Sequence, residues 1–363
     1  MAPHSDRGRT PIHFDCDRET SMPDPFNHVA FVGNGAMATV LALLLESRGV
    51  ATTVWGPNPD NMAELIRTRE NRRYLPGHPI PTDIRLTADD QEVFRHADAV
   101  VSAIPTQFVR GVWTRLAPQL PPGLPVISVA KGIENQTILR PTEVVDQVLA
   151  TVSSGTASPL AALSGPSVAE EMARRLPATV AVASADADLG RRVQSTFTTD
   201  FFRVYTIEDT IGVELAGALK NVIALAAGVL DGLEAGINAK SALLSRGLAE
   251  ITRLGTAMGA RNDTFFGVTG VGDLATTCFS PTGRNRRCGE LLGRGKTLQV
   301  ALDEVPGVVE GVPTARAVVD LAARHSVEMP IATAVNKVLF EGLDPREAIA
   351  QLMSREPKPE RVG

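Results

Sequence analysis

The chain has 363 residues, of which 44% are hydrophobic and 21% are charged, a composition typical of soluble globular proteins and a length that allows two domains. Its formal net charge of -5 provides no field that would attract nucleic acid or an anionic membrane, so any anion must be bound locally. The three cysteines, Cys16, Cys278 and Cys288, form neither a secreted disulfide framework nor a CxxC zinc knuckle. We therefore expect a cytoplasmic protein without a metal site.

The two ends of the chain are expected to lie outside the folded part. Residues 1–26 are polar and contain prolines, and they lack the apolar stretch of a signal peptide. We predict a disordered N-terminal extension over residues 1–26 and a C-terminal tail over residues 356–363.

The first apolar run is followed by a glycine-rich turn. His28–Val32 has the composition of a strand, Gly33-Asn34-Gly35 follows it, and Ala36–Ser47 has helical length and an apolar face. With Ala38 the pattern is GxGxxA, and Ala51–Trp55 supplies the next strand. This arrangement is typical of a dinucleotide site, in which glycines let the backbone approach a pyrophosphate at the helix N-terminus. The alternative is a tight turn that only needs a positive φ.

The end of the second strand leaves the choice of cofactor open. An NAD-specific protein would place Asp or Glu there to bind the ribose hydroxyls, and Trp55-Gly56-Pro57-Asn58 has neither. NADP is therefore permitted, although no arginine stands at that point, and Arg72 and Arg73 are the candidate phosphate partners. The sequence does not decide between NADP and NAD.

Two further apolar runs, Asp98–Ile104 and Pro125–Ala130, read as strands covered on both faces. Ligands of such sheets bind beyond the carboxyl ends of the strands. Phe108, after the first run, is a candidate to border the nicotinamide, and Lys131, after the second, to meet an anionic substrate. The alternative for Lys131 is a solvated loop lysine.

The next strand, Leu160–Leu163, leads into a turn and a short helix. Ser167 and Glu170 have the S-x-x-E spacing of a capping box, and Gly165-Pro166 predicts a sharp entry to that helix. An open helix N-terminus is also a candidate anion or cofactor site. Ala178–Ala183 and Phe202–Tyr205 are expected to be the last strands of the first domain.

From Ile207 onward the pattern is helical. We predict a dinucleotide-binding domain over residues 27–206 and an all-helical substrate domain over residues 207–355, which pack around a cleft. The predicted helices of the second domain are Ile207–Gly232, Ala239–Met258, Arg284–Leu292, Val312–His325, Ile331–Phe340 and Pro345–Met353.

The helix Ile207–Gly232 is apolar on almost every side, yet it contains Lys220, Asn221 and Glu214. A buried lysine must find partners or lose its proton. The alternatives are a core helix with a snorkelling lysine and a membrane span, and the central charge argues against the span. We assign no role to Glu214.

A glycine-rich stretch, Gly267–Leu274, leads to Asp273, and Arg284-Asn285 stands at an expected helix start. Arginine suits phosphate, and Asn285 with free helix N–H groups could complete a phosphate pocket. We expect Arg286 and Arg287 to lie on a solvated helix face. No histidine stands in a catalytic context, which leaves Lys220 as the acid/base, with Asp273 as its candidate partner.

Seven motifs in register resemble the bacterial NAD(P)-dependent glycerol-3-phosphate dehydrogenase family over residues 28–355. The resemblance implies a Rossmann-type N-terminal domain followed by an all-α C-terminal domain of the 6-phosphogluconate dehydrogenase type. It also implies reduction of dihydroxyacetone phosphate to sn-glycerol 3-phosphate for phospholipid synthesis. The motifs are Gly33-Asn34-Gly35, Ser128–Glu134, Ser164-Gly165-Pro166-Ser167, Ala218-Leu219-Lys220-Asn221-Val222, Gly272-Asp273-Leu274, Arg284-Asn285-Arg286 and Val309-Glu310-Gly311.

The resemblance also implies roles for single residues, with Lys220 as the proton donor and acceptor. The implied substrate-binding residues are Lys131, Gly165, Ser167, Lys220, Asp273, Gly283, Arg284 and Asn285. The cofactor-binding residues, from the glycine turn and from the resemblance, are Gly33, Asn34, Gly35, Ala36, Met37, Phe108, Lys131, Ala169, Arg284, Val308 and Glu310.

The chain departs from the family pattern at three positions. Gly283 replaces the usual Ser, so that only its backbone can serve the substrate. Met37 stands where an aromatic or similar residue is usual, and the basic residue often seen after the second strand is replaced near Pro57. These departures bear on the cofactor site more than on the reaction.

Two other functions remain alternatives. A related Lys-Asn reductase of the 3-hydroxyisobutyrate or ketopantoate type would act on carboxylates, and the Gly-Asp and Arg-Asn-Arg motifs argue against it. A cofactor-binding sensor without catalysis would be expected to lack Lys220 or Asp273, and both are present. The sequence leaves the oligomeric state open, with a homodimer as one candidate.

Overall fold

The computed structural model describes residues 23–152, 157–357 and 359–360. Most of the predicted extension, residues 1–22, and tail residues 358 and 361–363 lie outside the described residues. Within the described part, Phe26 is buried and its N–H donates to Thr196 Oγ1 at 2.9 Å. The prediction that the extension includes Phe26 is therefore wrong, because its aromatic ring packs in the core.

The N-terminal half forms one eight-stranded sheet of strand order β3-β2-β1-β4-β5-β6-β7-β8. Strands β1 to β6 are parallel to one another, β7 is antiparallel to β6, and β8 is parallel to β7. The strands are β1 His28–Val32, β2 Ala51–Trp55, β3 Arg85–Thr87, β4 Ala99–Ser102, β5 Val126–Ser128, β6 Leu160–Ser164, β7 Ala178–Ala183 and β8 Phe202–Ile207.

Helices cover both faces of this sheet, as expected for buried parallel strands. Alternate residues of β1 point to opposite faces: Val29 and Phe31 belong to one apolar cluster, and Ala30 and Val32 belong to another. The helices are α1 Ala36–Glu46, α2 Pro59–Thr68, α3 Thr106–Leu116, α4 Pro141–Ala150, α5 Ala169–Ala173 and α6 Ala187–Phe197.

The chain reverses its direction of travel across the sheet between β1 and β4. From β1 it proceeds to β2 and β3 on one side, and it then returns to β4 and β5 on the other. In doubly wound sheets the ligand crevice opens at the carboxyl ends of the strands at this switch point. The glycine turn predicted from the sequence lies there.

The C-terminal half is helical. The helices are α7 Thr210–Gly232, α8 Gly236–Ala257, α9 Asp273–Phe279, α10 Arg284–Gly293, α11 Leu298–Glu304, α12 Gly311–Arg324, α13 Pro330–Phe340 and α14 Pro345–Met353. The predicted helices are confirmed to within three residues at each end, whereas α9 and α11 were not predicted. The fold is a Rossmann-like sheet followed by a helical bundle.

Helix α7 is the central element of this bundle and begins later than predicted. Strand β8 continues to Ile207, and the side chain of Asp209 then accepts a hydrogen bond from Gly212 N and caps the helix. Helices α8, α9, α10 and α12 pack around α7. Among the described residues α7 alone is long and apolar enough to cross a membrane, and 94% of its most apolar window is buried inside the protein.

Glycines bring α7 and α10 into backbone contact. A Cβ atom added to Gly228 would lie 1.9 Å from Arg286 O, and one added to Gly289 would lie 2.0 Å from Leu225 O. A side chain at either position must push the two helices apart. This contact fixes the position of the N-terminus of α10, which carries Arg284 and Asn285.

We expect Gly289→Ala to lower the free energy of unfolding by about 1–3 kcal/mol or more, because the added methyl group overpacks a backbone contact. Gly111 in α3 is the matched control, since a Cβ atom there meets nothing within 4 Å. Gly111→Ala should stabilise the protein by about 0.5–1 kcal/mol. Urea unfolding of both variants tests this expectation, and equal effects of the two substitutions would contradict the close helix contact.

Candidate active site

The glycine turn after β1 has the geometry that a dinucleotide pyrophosphate needs. Gly33 has φ +114°, and a Cβ atom there would lie 2.5 Å from Ala103 O, so that only glycine fits. Gly35 is the N-cap residue of α1, and no side chain caps that helix. The first N–H groups of α1, which begins with Ala36 and Met37, therefore remain open to an anion. The residues present fit a nicotinamide dinucleotide.

A second segment holds the glycine turn in place. Asn71 Nδ2 donates to Asn34 O at 2.9 Å and to Thr39 Oγ1 at 2.7 Å. Asn71 is buried and belongs to the loop after α2. Sequence reasoning missed this residue, because a single asparagine in a loop carries no signal of the partner that it meets.

Three charged side chains meet where the sheet joins the helical half. Lys220 Nζ lies 2.7 Å from Asp273 Oδ1, and Lys131 Nζ lies 2.8 Å from Asp273 Oδ2. Lys220 Nζ also donates to Thr277 Oγ1 at 2.6 Å. The exposed fractions of the side chains are 7% for Lys220, 3% for Asp273 and 18% for Lys131. Lys131 is thus an ion-paired residue rather than a solvated loop lysine.

Burial and the three neighbouring charges set the proton affinities of this centre. Burial lowers the pKa of Lys220 to about 8, an effect that Asp273 opposes and Lys131 reinforces. For Asp273, burial by itself raises the pKa, but the attraction of Lys131 and Lys220 outweighs burial and holds the pKa below its ordinary value. The centre therefore combines a stable carboxylate with a lysine that exchanges its proton near neutral pH.

Asp273 owes its position to the glycine-rich stretch before it. Val268–Gly272 forms one π-helical turn, and a Cβ atom on Gly270 would lie 2.0 Å from Phe265 O. Asp273 follows as the first residue of α9, where the helix dipole favours a negative charge. Thr277 stands one turn later and also donates to Asp273 O.

The turn after β6 meets the same centre but lacks the predicted capping box. Lys131 Nζ donates to Gly165 O at 2.9 Å and to Ser167 Oγ at 3.4 Å. Ser167 Oγ donates to Gly165 O rather than accepting from a helix N–H, and α5 begins only at Ala169. The capping-box prediction is therefore wrong, because the turn uses the hydroxyl to support the lysine. Gly165 has φ +140°, a conformation that favours glycine.

A chain of amides connects the two halves of the molecule beside Lys220. Asn221 Nδ2 donates to Lys131 O at 2.8 Å, and Asn285 Nδ2 donates to Asn221 Oδ1 at 2.9 Å. Asn285 Oδ1 in turn accepts from Gly311 N at 2.9 Å. The side-chain oxygen of Asn285 is thus occupied by this series of hydrogen bonds. Asn285 is buried.

Arg284 stands exposed at the first residue of α10, next to Asn285. Gly283 before it is the N-cap residue, and a Cβ atom there would lie 3.3 Å from Ser280 O. Glu310 lies close enough to interact with Arg284, and its Oε1 accepts from Thr106 N at 2.9 Å. Burial raises the pKa of Glu310 to about 7. Glu310 thus joins the start of α12 to the start of α3.

Two of the remaining predicted cofactor residues lie on or next to the elements of this junction, and the third lies on the other face of the sheet. Phe108 is in the first turn of α3 and is 56% exposed. Val308 is partly buried two residues before Glu310. Ala169 is the first residue of α5 and packs against the core beneath the sheet.

The prediction of a solvated helix face is wrong for Arg286 and agrees with the position of Arg287. Arg286, which we expected on a solvated face, donates to Asp231 Oδ2 at 2.6 Å with its side chain 17% exposed, so that prediction is wrong. Arg287 is 43% exposed and pairs with Glu290 at 3.2 Å. Arg286 is drawn inward by Asp231, the last residue but one of α7, which also binds Lys240.

Glu214, to which the sequence assigned no role, binds residues at the start of α4. Its carboxylate accepts from Arg140 Nη1 at 2.6 Å, Thr142 N at 2.8 Å and Thr142 Oγ1 at 2.6 Å. Burial raises the pKa of Glu214 even though Arg140 opposes the shift. Glu214 therefore fastens α7 to the N-terminus of α4.

Comparisons with known proteins cover nearly all of the described chain. A family model described as NAD-dependent glycerol-3-phosphate dehydrogenase N-terminus matches residues 28–190. A second model, described as NAD-dependent glycerol-3-phosphate dehydrogenase C-terminus, matches residues 209–350.

Curated relatives and a solved structure agree with these models. Proteins named glycerol-3-phosphate dehydrogenase [NAD(P)+] include one from Pelotomaculum thermopropionicum, which is 46% identical over 90% of this chain and 93% of its own length. One from Lysinibacillus sphaericus is 44% identical over 92% of this chain and 97% of its own. The crystal structure of glycerol-3-phosphate dehydrogenase from Coxiella burnetii has a TM-score of 0.86 and 34% identity, and covers 91% of this chain and 99% of its own.

Proposed function

This chain belongs to the NAD-dependent glycerol-3-phosphate dehydrogenase family, and we propose that it catalyses the reversible NAD(P)H-dependent reduction of dihydroxyacetone phosphate to sn-glycerol 3-phosphate. The observation that carries this proposal is Lys220, a buried lysine with a pKa of about 8 that binds Asp273 and Thr277 beside the carboxyl edge of a dinucleotide-type sheet. A lysine of this kind can give and take a proton at neutral pH.

The residues that hold the dinucleotide are those of the glycine turn and of the cleft rim. Gly33, Asn34 and Gly35 with the open N-terminus of α1 suit a pyrophosphate. The bound dinucleotide supplies the hydride. On the rim we assign cofactor contacts to Ala36, Met37, Phe108, Lys131, Ala169, Arg284, Val308 and Glu310.

Lys220 acts as the proton donor in the direction of reduction. Its ammonium group binds the carbonyl oxygen of the substrate and protonates it as negative charge develops there. Asp273 holds Lys220 and Lys131 by one oxygen each, so that the two cations keep fixed positions. In the reverse direction neutral Lys220 takes the proton from the alcohol.

We assign the binding of the substrate phosphate to the cationic side chains near Asp273. Lys220, Lys131 and Asp273 together carry one net positive charge, and Arg284 adds another at the start of α10. A planar guanidinium binds phosphate through two parallel hydrogen bonds. Gly165, Ser167, Gly283 and Asn285 complete the assigned substrate site.

Arg284→Ala should lower kcat/KM for dihydroxyacetone phosphate by roughly 10- to 100-fold, because a hydrogen bond between charged groups is worth about 1.5–3 kcal/mol. Steady-state kinetics at saturating NADPH measure this change. Arg287→Ala is the matched control on the same helix, since Arg287 is paired with Glu290 and 43% exposed. An unchanged kcat/KM in Arg284→Ala would remove Arg284 from the phosphate site.

One assay separates the proposed reaction from its alternatives. Purified protein is mixed with NADPH or NADH and either dihydroxyacetone phosphate or ketopantoate, and cofactor oxidation is followed at 340 nm. We expect turnover only with dihydroxyacetone phosphate. Turnover only with the carboxylate would favour a Lys-Asn hydroxy-acid reductase, and no turnover with either would favour a cofactor-binding sensor.

The cellular role follows from the same reaction. We infer a cytoplasmic enzyme that supplies sn-glycerol 3-phosphate to glycerophospholipid synthesis, and a homodimer is the assembly that we propose. We also infer a division into a dinucleotide-binding domain over residues 27–206 and a helical substrate domain over residues 207–355. Sedimentation of the purified protein tests the dimer.

A further inference from the structure

The loop after β2 lies next to the glycine turn. Gly33 N donates to Trp55 O at 2.9 Å, which places the loop Gly56–Asn58 beside the pyrophosphate position. In dinucleotide folds a carboxylate at this point binds the ribose hydroxyls of NAD, and a nearby arginine accommodates the 2′-phosphate of NADP. The loop itself contains neither group.

Packing explains the absence of a carboxylate from this loop. A Cβ atom on Gly56 would lie 2.5 Å from Met62 Sδ and 2.9 Å from Asn34 Cγ, and Met62 is fully buried. Gly56 therefore has no room for a side chain. Asn58 is also committed, since its side chain accepts from Asn61 N and caps α2.

An arginine reaches this loop from a different element. Arg115, in the last turn of α3, places Nη1 3.5 Å from Pro57 O, and its guanidinium lies 5.3 Å from the ring centroid of Trp55. Trp55 is fully buried at the end of β2. The indole thus provides a fixed platform for the guanidinium.

A carboxylate fixes the orientation of Arg115. Arg115 Nε donates to Asp90 Oδ2 at 2.5 Å and Nη2 donates to Asp90 Oδ1 at 2.7 Å. Trp55 Nε1 donates to the same Asp90 Oδ1 at 3.1 Å. Because Asp90 occupies Nε and Nη2, Nη1 is the nitrogen that faces the loop, where it lies 3.5 Å from Pro57 O. Both oxygens of Asp90 already accept hydrogen bonds from Arg115 or Trp55, so Asp90 is a poor ligand for ribose hydroxyls.

The two arginines suggested by the sequence have other surroundings. Arg72 pairs with Glu70 at 3.0 Å, and Arg73 lies over the ring of Tyr74 at 5.2 Å. Among the described residues no hydrogen bond joins either of them to residues 56–58. Arg115, absent from the sequence-based prediction, is the arginine that contacts the loop.

We propose that Arg115 binds the 2′-phosphate of the adenosine half of NADP(H), and that the protein therefore prefers NADP(H) to NAD(H). This inference rests on the proposed function and specifies the cofactor of the same site. With Nε and Nη2 bound to Asp90, Nη1 is the donor that remains for the cofactor, and its charge-assisted hydrogen bond is stronger to a phosphate than to a neutral ribose hydroxyl.

Fragment binding tests the proposal without catalysis. Calorimetric titration of the full-length protein with 2′,5′-ADP and with 5′-AMP isolates the contribution of the 2′-phosphate. Wild type should bind 2′,5′-ADP at least tenfold more tightly, and Arg115→Gln should remove this difference while leaving the affinity for 5′-AMP within twofold. Arg115→Lys, which keeps the charge but not the planar fork, should retain part of the difference.

Arg72→Gln and Arg73→Gln are the matched controls and should keep the full preference for 2′,5′-ADP. The proposal is overturned if wild type binds the two fragments equally, if the preference survives in Arg115→Gln, or if either control removes it. Thermal unfolding of Arg115→Gln verifies that the variant is folded. If wild type reduces no dihydroxyacetone phosphate with either cofactor, the proposed function fails, and the titration still decides the role of Arg115.

Discussion

The Lys220→Ala variant should reduce dihydroxyacetone phosphate with a kcat roughly 10³- to 10⁴-fold below that of wild type, and its Kd for NADPH should change less than threefold. A positioned general acid contributes about 10²–10⁴ in rate, and loss of the ammonium also removes the charge that stabilises the developing oxyanion. Lys220 contacts Asp273 and Thr277 rather than the glycine turn, so cofactor binding does not depend on it.

Two further variants separate chemistry from packing. Lys220→Met keeps most of the side-chain volume in the buried helix and should be as inactive as Lys220→Ala. Lys240→Met removes a second lysine that is equally buried and is paired with Asp231 at 2.7 Å. It should lower stability but keep kcat within about threefold. A Lys220 variant with kcat within tenfold of wild type would refute the acid role.

The Asp273→Asn variant should lose both stability and activity. Its carboxylate is the shared partner of two buried cations, and removal of one member of a buried ion pair costs about 3–5 kcal/mol. Without the carboxylate, burial and Lys131 lower the pKa of Lys220 further below about 8. The midpoint of the pH profile for reduction should then move to lower pH, and kcat at pH 8 should fall at least tenfold.

Asp231→Asn distinguishes this electrostatic effect from a general loss of stability. Asp231 is also shared by two cations, Lys240 at 2.7 Å and Arg286 at 2.6 Å, but neither cation contacts Lys220. The control should lower the free energy of unfolding by a comparable amount and leave the midpoint of the pH profile near 8. An unshifted midpoint in Asp273→Asn would show that Asp273 does not set the proton affinity of Lys220.

Sequence patterns predicted the features of the site that local chemistry determines. Gly33 was predicted from the pattern of a strand, a turn and a helix. The structure explains why the pattern works, because a φ of +114° and the contact with Ala103 O admit only glycine. Lys220 was singled out because an apolar helix must be buried, and its side chain is 7% exposed. Asp273 followed from a glycine-rich stretch that ends at a helix start.

The sequence did not predict the contacts that depend on how distant elements pack. Thr277 binds Lys220 only because α9 crosses α7 at that turn, and Arg115 meets Pro57 only because α3 lies across the end of β2. Ser167 had the spacing of a cap, but a lysine from another loop competes for the same turn. Asn285 was predicted at a helix start, but its contacts with Asn221 and Gly311 depend on the packing of α7 and α12 against α10.

The pH dependence of kcat in both directions is the most direct test of Lys220 as the proton donor and acceptor. Reduction needs the ammonium and oxidation needs the neutral amine, and burial lowers the pKa of Lys220 to about 8. We therefore expect kcat for reduction to fall, and kcat for oxidation of sn-glycerol 3-phosphate to rise, through one shared midpoint near pH 8. Profiles that stay flat between pH 6.5 and 9.5, or that move in the same direction, would contradict this account.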